Sequence, residues 1–316
     1  MTGGFRHEPV MLAEIIEVFD GVPAGWLVDM TLGGGGHARG LLERRPDCRL
    51  LGLDRDQEAL AAATTVLAPF EERVVTRHAR FDSLHDVMAA LAISSVSGVL
   101  FDLGVSSHQF DEGDRGFSYR FDGPLDMRMD ASTGPSATDV VNGYGVDELT
   151  RVLREFGDER FAYRIANAIV ASRPVRTTAQ LAEIVRDAIP APARRTGGHP
   201  AKRTFQAIRI EVNQELEILP DALGQAIDAL SVGGRVGVLS YHSGEDRIVK
   251  HAFREAATGG CACPTGLPCG CGASPTVRIM RPAKRVPSAG ERDRNPRASS
   301  AILRVVEKVA VTGVAQ

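Results

Sequence analysis

The chain has 316 residues, 43% apolar and 24% charged, with 37 Lys and Arg against 40 Asp and Glu for a formal net charge of −3. That is the composition of a globular protein long enough for one large domain or two smaller ones. No apolar run reaches the roughly 18 residues of a membrane helix, and residues 1–8 lack signal-peptide character, so a cytoplasmic protein without membrane contact is expected.

In chain order, residues 10–19 place Leu12, Ile15, Ile16 and Phe19 at helical spacing. Residues 26–30 read as a short buried strand that runs into DMTLGGGGH (29–37). Glycine has no Cβ and tolerates positive φ, so such a turn lets backbone approach a ligand closely. The helix expected over 37–45 then presents free N–H groups and its positive dipole end. A second strand, 49–54, ends in Asp54, about 20 residues on, where an acid usually grips ribose hydroxyls. This outlines a nucleoside-cofactor site. The four glycines depart from strict G-x-G-x-x-G, and the plainer alternative is a flexible strand–helix turn. Helices over 57–67 and 84–91 flank a strand at 73–77, which leads into Phe81, and a fourth strand covers 97–102. Such alternation indicates a parallel sheet with right-handed crossovers. Ligands bind beyond the carboxyl ends of such strands, where the glycine loop, Asp54, Phe81 and Asp102 all fall.

After Gln109 the texture changes. Residues 111–135 are loop-rich, and three helical patches follow at 146–156, 159–172 and 178–188, with Thr177 and Thr178 as a start and Pro190 and Pro192 as a stop. Residues 111–202 read as a helical insertion. The sheet pattern resumes over 203–316. A long helix at 204–219 sets Phe205, Ile208, Val212, Leu216 and Leu219 opposite Gln206, Arg209, Asn213 and Glu217. A strand at 233–240, a helix at 247–256 and strands at 276–280 and 301–307 complete the chain. The expected fold is α/β: a seven-stranded, mostly parallel sheet formed by 1–110 and 203–316, interrupted by the helical piece.

Charge is unevenly spread. No acid lies between Asp187 and Glu211, where Arg194, Arg195, Lys202, Arg203 and Arg209 are basic. From Arg278 to Arg304 there are eight Arg or Lys against Glu291 and Asp293. Such stretches on a near-neutral chain suit a polyanion partner, or an ordinary solvated face. Four of the five cysteines, Cys261, Cys263, Cys269 and Cys271, lie within eleven residues. Their C-x-C pairs are tighter than the usual zinc-ribbon spacing. They read as a metal site or a reduced Gly/Pro-rich loop, and no metal is assigned.

Several phrases together carry a resemblance: HEPVML (7–12), DMTLGGGGH (29–37), DRD (54–56), FDLGVSS (101–107), RGFS (115–118), GPLDMRMD (123–130), HPAKRTFQAIR (199–209), SYHS (240–243) and NPR (295–297). Across nearly the whole chain the sequence resembles the ribosomal RNA small-subunit methyltransferase H family. The resemblance implies a Rossmann-like class I methyltransferase that uses S-adenosylmethionine to methylate N4 of a cytidine in the decoding region (P site) of 16S rRNA. The partner is then 16S rRNA or the small subunit, and no protein partner is indicated. By similarity, Gly35, Gly36 and His37 contact the methionyl part of the cofactor, Asp54 the ribose and Phe81 the adenine, with Asp102 and Gln109 completing the pocket. Taken singly, Phe81 also reads as a core residue. Asp102 either takes the N4 proton or simply binds the cofactor. The chain has Asp-Leu-Gly-Val-Ser-Ser where many amino-methyltransferases have Asp/Asn-Pro-Pro-Tyr. Asp126, Arg128, Asn213, Tyr241 and His242 are expected near the target base, and Lys202, Arg203 and Arg209 on phosphates; His242 also reads as a strand-end core histidine. Two rival readings share features with this one: a nicotinamide-dependent dehydrogenase, and a non-catalytic RNA-binding or zinc module.

Overall fold

The structure, a computed structural model, describes residues 9–106, 109, 112–195, 198–263 and 270–310. His7 and Cys269 lie outside them. The chain divides into two compact units, one of Met1–Gly104 with Leu216–Gln316 and one of Val105–Glu215. Among the described residues no helix is long and apolar enough to cross a membrane.

The first unit holds the expected seven-stranded α/β sheet, in the order β3-β2-β1-β4-β5-β7-β6. Its strands are β1 (Gly25–Asp29), β2 (Cys48–Asp54), β3 (Val74–His78), β4 (Val96–Asp102), β5 (Leu230–Ser240), β6 (Val277–Ile279) and β7 (Ile302–Lys308). β1 to β5 pair in parallel, and β7 runs antiparallel to both β5 and β6. The central strands are buried on both faces, so they read as near-continuous apolar runs. Leu27, Leu50 and Leu100 point into one layer, with Ile15, Phe19 and Leu41. Val28, Leu51, Val99 and Phe101 point into the other, with Leu84, Leu219 and Leu223. The chain builds outward from β1 through β2 to β3, then returns to the other side of β1 with β4. Order therefore reverses between β1 and β4, which opens a crevice at their carboxyl ends.

The second unit packs the helices Ala137–Gly143, Val146–Gly157, Ala162–Ala171, Thr178–Ala188 and Lys202–Asn213 around Val140, Leu149, Leu153, Ile165, Leu181, Phe205 and Ile208. Thr177 caps its helix as expected, its side chain accepting from the Gln180 N–H. Ser136 and Asp139 form a capping box on a helix that periodicity did not reveal.

The insertion is longer than the sequence suggested. Residues 203–215 belong to the helical unit, not to the sheet unit, because Phe205, Ile208 and Val212 are buried in the helical core. The helix expected over 204–219 is also two helices. Gln214 is left-handed (φ 54°) and ends Lys202–Asn213, and Glu215–Ala229 follows. The apolar stripe runs through the break, but Leu219 is buried in the core of the sheet unit.

Candidate active site

Beyond β1 the backbone turns on Gly33 (φ 51°) and Gly35 (φ 77°), values that a side chain would strain. Gly35 then starts the helix Gly36–Arg44. Asp54, at the tip of β2, grips this turn from the side: Oδ2 accepts the Gly33 N–H at 2.7 Å and Oδ1 the Asp56 N–H at 2.9 Å. Burial pushes its pKa up to about 6 against the pull of those two N–H groups. Each oxygen keeps a further lone pair for a ligand hydroxyl. Asp29, at the end of β1, is buried. Its Oδ1 accepts the Thr31 N–H at 3.2 Å, and Oδ2 has no partner among the described residues. Burial raises its pKa to about 7, countered by His37 and reinforced by Asp102 and Asp54.

Asp102 ends β4. Its N–H donates to Thr31 Oγ1 at 2.7 Å, which locks the tips of β1 and β4 together. Tyr241, just past β5, donates its hydroxyl to Asp102 Oδ1 at 2.5 Å. Burial, then Asp102, holds the phenol proton well above the usual tyrosine range. His37 stands on the other side, with Nδ1 3.5 Å from Asp102 Oδ2. Its Nε2 lies 2.9 Å from the Val10 carbonyl. A carbonyl only accepts, so Nε2 carries a hydrogen and Nδ1 is the nitrogen turned to Asp102.

Phe81 follows β3 in a short turn. It is half-buried and packs edge-on against Phe101, centroids 6.0 Å apart at 73°, so the core claims part of the ring. His242 caps the helix Ser243–Thr258. Its Nδ1 accepts from the Gly244 and Glu245 N–H groups, and Nε2 faces Glu245 Oε1 at 3.0 Å. That cap engages Nδ1, whereas buried Nε2 makes no hydrogen bond among the described residues.

The remaining expected residues lie in the second unit. Gln109 is buried and turned to its own backbone, Oε1 accepting the Ser106 N–H at 3.1 Å. Asp126 and Arg128 form a two-pronged pair at 2.9 and 2.7 Å. Burial works against the Asp126 charge, but the hydrogen bonds from Arg128 prevail and hold its pKa low. Asn213 is buried, accepting from the Met129 N–H and donating to the Met127 carbonyl. It shapes the loop carrying Arg128. Arg209 does not face solvent as a phosphate ligand would; its guanidinium is paired with buried Glu215 at 2.8 and 3.0 Å. Lys202 and Arg203 are exposed on the first turn of their helix.

Residues 4–309 match the MraW methylase family. This chain belongs to that family. It is 50% identical to Ribosomal RNA small subunit methyltransferase H of Saccharopolyspora erythraea, over 96% of this chain and 94% of the relative. It is also 50% identical to the protein of the same name from Symbiobacterium thermophilum, over 96% and 97%. Among solved structures, an rRNA methylase from Streptococcus thermophilus is a distant likeness, 11% identical with a TM-score of 0.41 over 95% of this chain and 94% of that one. The chain is an S-adenosylmethionine-dependent methyltransferase with a Rossmann-like α/β sheet.

The methyltransferase's own residues fit that cofactor. Asp102 and Asp54 both act electrostatically on Asp29 beside the glycine turn. Acidic groups at these strand tips favour a cationic sulfonium, and the match to the methylase family, not the glycine turn and Asp54 that both readings share, decides against a dehydrogenase. Sequence reasoning missed Thr31. Its signal was its place two residues after Asp29, but its partner, the Asp102 N–H, lies 71 residues away.

Proposed function

We propose that this methyltransferase acts on small-subunit ribosomal RNA, transferring the methyl group to N4 of a cytidine in the 16S decoding region. The observation that carries the reading is the 50% identity, over nearly the full length of both chains, to relatives named for small-subunit rRNA methylation. The chemistry of the strand tips supports it. Bound S-adenosylmethionine supplies an electrophilic methyl on a positively charged sulfur. By the family resemblance Gly35, Gly36 and His37 would hold the methionyl part, and the spare lone pairs of Asp54 would accept ribose hydroxyls.

The exocyclic amine of cytosine is a poor nucleophile because its lone pair is delocalised into the ring. An acceptor on an N4 hydrogen would restore electron density as the N–C bond forms and the methyl C–S bond breaks, its electron pair staying on sulfur and neutral S-adenosylhomocysteine leaving. Asp102 serves this purpose: Tyr241 fixes its Oδ1, and Oδ2 takes the proton shed by N4 and hands it toward His37 Nδ1. Asp102 is thus both an orienting group and the first proton acceptor. Lys202 and Arg203, exposed in the second unit, are the cations offered to the RNA backbone.

The test is nucleoside analysis of 16S rRNA from cells with this protein, without it, and with Asp102→Asn. N4-methylated cytidine is expected only in the first. Its persistence in cells lacking the protein would overturn the assignment.

A further inference from the structure

The cysteine-rich loop plays no part in the chemistry above, yet its two described ends have a definite geometry. It leaves the helix Ser243–Thr258 through Gly259 and Gly260, both left-handed at φ 62° and 73°. The Gly260 N–H donates to the Glu255 carbonyl and the Cys261 N–H to the Thr258 carbonyl, which fixes Cys261 against the helix end. The chain returns beside its departure point. The Thr276 N–H donates to the Ala256 carbonyl at 3.0 Å, and a Cβ on Gly259 would meet the Ser274 backbone at 2.6 Å. The two arms of the loop are thereby clamped side by side.

This clamp brings three thiols into one group. Cys261 Sγ and Cys271 Sγ, on opposite arms, stand 3.6 Å apart, and the sulfurs of Cys261, Cys263 and Cys271 all lie within 4.8 Å of one another. We propose that Cys261, Cys263 and Cys271 bind a single zinc ion.

Three arguments carry this. A disulfide needs sulfurs about 2.05 Å apart, far closer than these. Ligands around one tetrahedral zinc at about 2.3 Å stand about 3.8 Å from each other, close to the 3.6 Å observed. A set made only of thiolates selects zinc, cuprous copper or iron–sulfur, and sulfurs this close suit one ion better than the separate irons of a cluster. Cysteine is ordinarily among the most buried residue types, whereas Cys261 and Cys263 are half-buried and Cys271 is exposed. The core does not use them. The C-x-C spacing is shorter than a zinc-ribbon knuckle, but here the third thiol comes from the returning arm, so no knuckle is required. Cys269 lies outside the described residues.

The experiment uses the full chain purified under reducing conditions without chelator. One zinc per chain is expected by elemental mass spectrometry. After zinc removal, cobalt(II) should give thiolate charge-transfer absorption and intense tetrahedral visible bands, saturating at one equivalent and abolished by zinc. The Cys261→Ser/Cys271→Ser variant should lose both metal and bands while its circular dichroism stays unchanged. The proposal is overturned if the wild-type chain gives no such bands, or if metal content and bands survive in the double variant, which would mark an adventitious ion. Iron–sulfur absorption, or a disulfide between these cysteines in the freshly reduced protein, would overturn it equally. The cobalt spectrum is read on the wild-type chain, so the result stands even if the variant folds poorly.

Discussion

At the scale of single residues, the methyltransferase site rests on how carboxylates are held. The Tyr241 hydroxyl donates to Asp102 Oδ1 at 2.5 Å. Removing a donor from a partly buried charged acceptor costs about 1–3 kcal/mol, and about 1.4 kcal/mol is a tenfold change in rate. Tyr241→Phe should therefore lower kcat for methyl transfer about tenfold while leaving KM for S-adenosylmethionine nearly unchanged; steady-state kinetics with both substrates varied read the split, and an unaltered kcat would remove Tyr241 from the positioning role. Asp29 gives a pH prediction. Its folded pKa is raised to about 7 from an ordinary 3.8, chiefly by burial. Between those values the folded chain holds the proton more tightly than the unfolded one, so this group's contribution to stability is lost as pH rises through the window and is constant above it. Asp54 acts the same way up to about 6. Asp29→Asn should flatten the fall of Tm between pH 4 and 7, and thermal melts of both proteins across that range will show whether the two curves converge at the acid end.

At the scale of elements, the strands were legible because they are short apolar runs punctuated by glycine and acid, and all seven fall within a few residues of where the sequence put them. The loop after β1 was legible for a related reason: φ values of 51° and 77° in one short turn favour glycine, and the chain supplies four in a row. Helix continuity was not legible. The stripe Phe205, Ile208, Val212, Leu219 keeps its period through Gln214, so nothing local marks the reversal of backbone there. Sheet packing is tight at Gly98 in β4, where a Cβ would lie 2.6 Å from Phe19 and 2.8 Å from Leu27. Gly98→Ala should destabilise the fold by about 1–3 kcal/mol through overpacking, seen in urea titration as a lower midpoint at unchanged slope.

At the scale of the whole molecule, each unit has its own core, and the chain carries a net charge of −3. Attraction to the proposed RNA must then come from local clusters rather than from overall charge. Lys202 and Arg203 are exposed, whereas Arg209 is taken by Glu215. Lys202→Glu with Arg203→Glu should weaken RNA binding and reduce the slope of log K against log salt by about 0.7–0.9 for each phosphate no longer neutralised. Arg209→Gln should leave that slope alone and instead cost about 3 kcal/mol of stability, since it strands a buried carboxylate. Binding measured at several salt concentrations, beside denaturation of each variant, separates the two roles.

The amino-acid sequence by itself determined the alternation of strand and helix, the glycine turn, and the acids at the ends of β1, β2 and β4. Those features depend on local backbone preference and on the period of apolar residues, both of which are written into neighbouring positions. Only the tertiary structure decided which polar groups were available for chemistry. Arg209 is engaged by Glu215 of the following helix, and the Asn213 amide by backbone groups of Met129 and Met127, 84 and 86 residues away. Thr31 gained its part in the same way, from a strand 71 residues distant. Satisfying a buried donor or acceptor is a three-dimensional requirement, and no spacing in one dimension records how it is met.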